Sequence, residues 1–131
     1  MHSRETIDAY YRLLAARDRP GLLALLSEDI KIACYGPPGL LPWVGEFAGH
    51  TGFEAFFAVL AEHVEIVNVE RLSLIADEHK VAVQCVGTWR IKANGRQVDG
   101  HMVNVFGVAD DRITRYEVYA DTAAFAAAMQ R

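Results

Sequence analysis

The stretch KVAVQCVGTWRIKANGRQVDGHMVNVFGVADDRITRYEVYAD (80–121) decides the fold. Its first run, 81–91, alternates strictly, so Val81, Val83, Cys85, Gly87, Trp89 and Ile91 share one face of a strand. KANGR (92–96) then supplies an Asn-Gly turn, a strong short-range hairpin signal. The run 97–108 puts Val98, Gly100, Met102, Asn104, Phe106 and Val108 on one face, and a turn at 109–111 returns the chain through 113–120. The spacing predicts an antiparallel meander with one polar residue, Asn104, in the middle of its apolar face.

Working towards the N-terminus, 64–76 reads as a further long strand, joined to the meander by a turn at Asp77, Glu78 and His79. Before it, Phe53, Phe56, Phe57 and Leu60 follow the i, i+3, i+4, i+7 rule of an amphipathic helix, with Thr51 and Glu54 as its expected capping box. GPPGLLPWVGEFAG (36–49) carries three prolines and four glycines and is expected to be irregular. Its apolar residues Leu40, Leu41, Trp43, Val44 and Phe47 must fold over something, so the segment reads as a flap above a cavity. DIKIACY (29–35) alternates as a strand. Asp18 is the expected N-cap of a short helix with Pro20 in its first turn. The first helix, 3–17, is striped by Ile7, Tyr10, Tyr11 and Leu14, two of them tyrosines whose hydroxyls need partners once buried. At the other end, Asp121 or Thr122 caps a short alanine-rich helix, 123–129.

Helices first and a meander after them specify an α+β domain. A cone-like, strongly curved antiparallel sheet is expected, covered by three N-terminal helices, with a short C-terminal helix. A chain of 131 residues is one domain, able to bury a core without staples. At 52% hydrophobic and 23% charged residues, it has the composition of a folded globular protein. The longest apolar runs are too short to span a bilayer, and MHSRETID (1–8) lacks a secretory h-region. The expectation is a cytoplasmic protein with no membrane partner. A net charge of −4 with no basic patch excludes a nucleic-acid partner. Cys34 and Cys85 have no metal or redox spacing, and the five histidines show no H-x-H or H-x-x-x-H pattern. No phosphate loop, dinucleotide fingerprint or serine-nucleophile motif occurs, so no cofactor is expected.

Three stretches carry a family resemblance: RDRPGLLALLSEDI (17–30), LPWVGEFAGHTGFEAFF (41–57) and VNVFGVADDRITRYEVYADTAAF (103–125). In this element order they resemble the nuclear transport factor 2-like superfamily, and within it the SnoaL-like, ketosteroid-isomerase-related proteins. The resemblance implies an enclosed apolar pocket and homodimerisation. It gives Tyr10 the place of an oxyanion-hole tyrosine, whose phenol donates to a developing enolate in a dry site. Cys34 stands where those isomerases carry a general-base aspartate. Asn104 stands near a strand position occupied in relatives by a His or a carboxylic acid; an amide there can bind a carbonyl but cannot shuttle a proton. Val118 replaces the inward acid of many SnoaL-like sequences.

Each of these residues also has a structural reading. Tyr10 fits a buried helix tyrosine, Asn104 a polar group holding a distorted strand, Cys34 an inert core thiol, and Asp121 a helix cap. Glu117 falls on the face opposite Tyr116 and Val118, and alternation puts His101 opposite Asn104. Together the readings give a pocket for a small apolar molecule, with Tyr10, Asn104 and Cys34 as candidate catalytic groups. Trp43, Phe47, Phe57, Met102, Phe106, Tyr116 and Val118 are the candidate ligand wall. The expected activity is that of a cofactor-free isomerase, cyclase or hydratase. The alternative is a non-catalytic binding or dimerisation domain with a filled pocket.

Overall fold

A computed structural model describes residues 2–130. Along the chain run α1 (Ser3–Ala15), α2 (Arg19–Leu25), β1 (Leu26–Cys34), β2 (Gly45–Ala48), α3 (Gly49–His63), β3 (Val64–Ala76), β4 (Lys80–Ile91), β5 (Gln97–Ala109), β6 (Arg112–Ala120) and α4 (Thr122–Met129). The strands form one sheet in the order β2-β1-β6-β5-β4-β3. The meander is antiparallel throughout, as its short connecting turns require, and β1 pairs antiparallel with β2. The pairing of β1 with β6 is parallel, with Ile32 opposite Tyr116 and Cys34 opposite Val118. The sheet is therefore mixed rather than wholly antiparallel. Side-chain alternation reports which face is buried, not the direction of the neighbouring strand.

The inward face of β4 is buried at Val81, Val83, Cys85, Gly87, Trp89 and Ile91, the set the period-two pattern selects. Gly87 is required there: a Cβ would come within 2.8 Å of both the Asn68 carbonyl oxygen and the Trp89 ring. Register shifts interrupt β3 between Ile66 and Asn68 and between Arg71 and Ser73, and the β5–β6 pair at Gly107/Val108. Such bulges bend strands and raise their twist, which curves the sheet around the helices. The two-residue turn with both residues left-handed is Asp110-Asp111 (φ +52° and +60°), whereas in the Asn-Gly loop only Gly95 has positive φ.

Asp18 caps α2 by accepting from the Gly21 amide, and Asp121 caps α4 by accepting from Ala124. Four local expectations are corrected. α1 ends at Ala15, because Arg17 turns out of the helix with φ +55°. β1 begins at Leu26, which pairs with Ile113. The flap is not wholly irregular: its last residues form β2 against β1. The capping box at Thr51 does not form. Gly49, at φ +74°, turns the chain straight out of β2, α3 starts three residues earlier with Ala48 at its N-cap, and Glu54 instead meets Arg19 at 2.5 Å.

Candidate functional site

The helices cover the inner face of the sheet incompletely, and between them lies a cavity of about 500 Å³. α1 contributes Tyr10, Tyr11, Leu14 and Ala15; α3 contributes Phe56, Phe57 and Leu60. The sheet supplies Ile66–Val69 and Arg71 from β3, Cys85 and Trp89 from β4, Met102 and Asn104 from β5, and Tyr116 and Val118 from β6. The inner face of β3 is exposed, with Ile66 at 57%, so the cavity opens along this edge, between β3 and the ends of α1 and α3. A larger concavity lies beside Ser3 and Asp77, but polar, mostly exposed residues line it. The mainly apolar cavity with a few convergent polar groups has the character of a small-molecule site.

Its floor is a stack of aromatic rings. Tyr10 lies edge-on to Tyr11 and to Phe106, both at 5.2 Å between centroids, and Tyr116 stacks on Phe57 at 6.1 Å. Asn104 Nδ2 donates to the Tyr11 hydroxyl at 3.1 Å. Two atoms at the floor are buried without a hydrogen bond of ordinary geometry among the described residues: Asn104 Oδ1, and Tyr10 Oη, which has the Tyr116 hydroxyl beside it on its acceptor side and its own O–H donor unused. A buried polar atom left unpaired costs roughly 1–3 kcal/mol, so each is a place where a ligand atom would be favoured.

Every phenol here holds its proton. Burial, reinforced by the negative charge Tyr11 would carry, pushes Tyr10 well above the ordinary tyrosine range; the nearby Tyr116 hydroxyl opposes the rise slightly. Burial raises Tyr11 to about 12, against the opposing hydrogen bond from Asn104. Tyr116 is raised too, again mainly by burial. The wall contains no carboxylate and no imidazole. It offers phenol donors, an amide and the Arg71 guanidinium, a set able to orient and polarise an oxygen but lacking a base for proton abstraction at neutral pH.

The site residues expected from sequence divide as follows. Tyr10, Asn104, Phe57, Met102, Tyr116 and Val118 line the cavity. Phe106 is fully buried behind the rings of Tyr10, Tyr11 and Tyr116 and supports the floor. Cys34 lies off the wall, buried at the end of β1 against Gly45 and Val118, and burial lifts its thiol to about 11. The flap does not roof this cavity. Trp43 packs edge-on against Phe125 of α4 at 5.8 Å, and Phe47 packs on Phe56 at 5.5 Å from β2. His101 is exposed on the outer sheet face, where Glu117 also lies, accepting from the Tyr35 hydroxyl at 2.5 Å.

Sequence reasoning did not single out Tyr11, Arg71 or Cys85 for the site. Tyr11 and Cys85 were legible as inward positions from their periodicity. Arg71 was not, because the two bulges in β3 break the alternation that would have marked its face.

A curved sheet wrapped over helices around an apolar cavity defines a nuclear transport factor 2-like domain. The family model described as SnoaL-like domain matches residues 7–116, and the chain belongs to that family. Among solved structures, it is similar to an NTF2-like protein from Burkholderia xenovorans (28% identity, TM-score 0.85, covering 96% of this chain and 94% of that one). It is also similar to an NTF2-like protein from Burkholderia pseudomallei (26%, 0.79, covering 98% and 97%). TerC, co-crystallised with polyporic acid, matches at 25% identity and TM-score 0.77, with 92% of each chain covered. A search of curated proteins found no match. No helix among the described residues is long and apolar enough to cross a membrane.

Proposed function

We propose that the cavity binds a small, mainly apolar ring compound and holds one of its oxygens between Tyr10 and Asn104. The observation that carries this reading is the unused Tyr10 O–H donor and the unused Asn104 Oδ1 acceptor, both buried at the floor of a mainly apolar cavity. Because Asn104 Nδ2 already donates to Tyr11, its free atom is an acceptor. The fitting group therefore both accepts and donates: an enol or hydroxyl takes the Tyr10 proton donor on its oxygen and gives its own hydrogen to Asn104 Oδ1. Such an arrangement favours the enol form of a ketone. It supports a cofactor-free isomerase, cyclase or hydratase whose substrate, or a water, supplies the base. That TerC, of similar fold, was co-crystallised with polyporic acid supports a small organic ligand.

The absence of a carboxylate or imidazole from the wall favours a second reading, binding without turnover. A thermal-shift screen against cyclic ketones, aromatic polyketides and small epoxides separates these outcomes. A ligand at a hundred times its dissociation constant adds about 2.7 kcal/mol, several degrees in midpoint for a domain of this size. The expected result is stabilisation of the wild type that Asn104→Leu abolishes, and product formation then decides between the two readings. If no compound stabilises the protein while it remains folded, the pocket reading fails.

The partner expected on the outer sheet face is a second copy of the chain. That face bears half-buried Ala82, Val86, Val103 and Val105, rimmed by Gln84, Arg90, Asp99, His101 and Arg115. Light scattering should give a dimer mass that Val105→Glu reduces to the monomer; a wild-type monomer at micromolar concentration would exclude it. A cytoplasmic setting belongs to the same reading, and the two free, buried thiols are compatible with it.

A further inference from the structure

Arg71 is the one charged side chain among the residues that line the cavity. It projects from the inner face of β3, opposite Cys85, and its guanidinium carbon lies 4.5 Å from the centre of the Tyr11 ring. A guanidinium held over a ring by its charge spends none of its N–H donors there, so they remain for other partners. The ion-pair partner among the described residues is Asp8, at 3.9 Å, longer than a hydrogen bond, with both side chains about half exposed. A pair of that length in water holds the arginine weakly. The positive charge is felt inside the cavity: it opposes the burial-driven rise of both Tyr11 and Cys85.

Resting on the pocket reading above, we infer that the ligand is an amphiphilic anion, its apolar body inside the cavity and its single acidic group held at the rim by Arg71. One ring connects the two polar ends of the site. The face of Tyr11 carries Arg71, and the hydroxyl of Tyr11 holds Asn104. The acidic group and the oxygen bound at the floor are thus separated by about the span of that ring. A carboxylate, or the enolate or phenolate of an acidic ring, would meet the guanidinium edge with paired hydrogen bonds. Asp8 competes for the same edge and sets how much of the cation is free. Arg71 is therefore a specificity-determining residue and plays no part in bond making.

Two fluorescent probes with one shared body test this: neutral N-phenyl-1-naphthylamine and its sulfonated analogue, 1-anilinonaphthalene-8-sulfonate. Wild-type protein should bind the anion at least tenfold more tightly. Arg71→Met should remove that preference while changing the affinity for the neutral probe less than twofold, and Arg71→Lys should recover part of it. Asp8→Asn, which leaves Arg71 in place, should tighten the anion a few-fold. This variant keeps the test decisive if Arg71→Met folds poorly. Ala15→Trp, which fills the mouth, should weaken both probes and so shows that binding is in the cavity. If both probes bind there but with equal affinity, or Arg71→Met and Asp8→Asn leave the anion unchanged, the inference is overturned and the pocket reading stands. If neither probe binds, or Ala15→Trp has no effect on either, both fall.

Discussion

Two aromatic groups lie on either side of Trp89, and they have opposite characters. On one side the flap residue Trp43, the α4 residue Phe125 and Trp89 itself pack edge to face, with all three nearly inaccessible. On the other side Trp89 joins the wall of the open cavity, whose floor is made by Tyr10, Tyr11, Phe57 and Tyr116. The first group is apolar apart from the indole nitrogens and is closed over. The second carries three phenols and an amide, leaves a donor and an acceptor unused, and opens beside β3. The same kind of side chain thus serves stability at one end of the sheet and leaves stability unclaimed at the other. Unclaimed pairing capacity at a cavity floor is the usual signature of a binding site.

The sharpest way to break this comparison is to truncate each group. Trp43→Ala should cost about 3–5 kcal/mol, because it leaves a hole where three elements meet. Phe57→Ala, at a half-buried wall position, should cost less than half of that but weaken ligand binding at least tenfold. Urea midpoints and ligand titrations together check the contrast; a larger stability loss at Phe57 than at Trp43 would reverse it. Next in size is Asn104→Leu. It removes the unpaired Oδ1 along with the donor to Tyr11, whose hydroxyl is near the open cavity, so stability should change by less than about 1 kcal/mol. A loss of several kcal/mol in the same urea titration would mean that Asn104 is a structural pin.

A third contrast is in pH. The phenols and Cys34 have folded-state values raised above their ordinary ones, so the folded chain keeps protons that the unfolded chain releases. Their contribution is fully present below about pH 7.5, where the unfolded thiol and phenols are still neutral. It is lost progressively as pH rises through the ordinary values and on towards the folded ones, about 11 for Cys34 and about 12 for Tyr11. The melting temperature should begin to fall above about pH 8, slightly at first as the thiol alone contributes and more steeply above about pH 10 as the phenols join. Binding of the neutral naphthylamine probe should stay flat across pH 6–9, and a bell-shaped dependence there would reveal a titrating group that the wall does not contain. The smallest effect is expected at Asp121→Ala. Losing the cap of α4 should cost about 1 kcal/mol in the urea midpoint through the seating of Phe125, with ligand affinity unchanged.

The meander was legible because its inner face is buried without a break along β4 and nearly so along β5, and period-two patterning needs only that. Tyr10 and Asn104 were legible for the same reason: a polar group on a buried stripe stands out against its neighbours. The flap misled because its composition says only that the segment must be covered. What covers it is α4, some eighty residues later, and no local pattern carries that information. Arg71 was hidden by bulges, which shift a strand's facing residues by one and erase the periodicity that would expose them. The parallel β1–β6 pairing was hidden as well, because it joins strands far apart in the chain.

Those bulges have a consequence for the protein as a material. β3 is a thirteen-residue strand at the margin of the sheet, with Ile66, Val67, Val69, Leu72 and Ile75 all accessible. A long, flat margin of this kind is a template on which another chain can polymerise. Two kinks within one strand, at Val67 and Leu72, spoil the straight ladder such growth requires, and Glu65, Glu70 and Arg71 place charges along it. The irregularity that shapes the mouth of the cavity also makes this margin a poorer template for fibre growth than a straight strand would be.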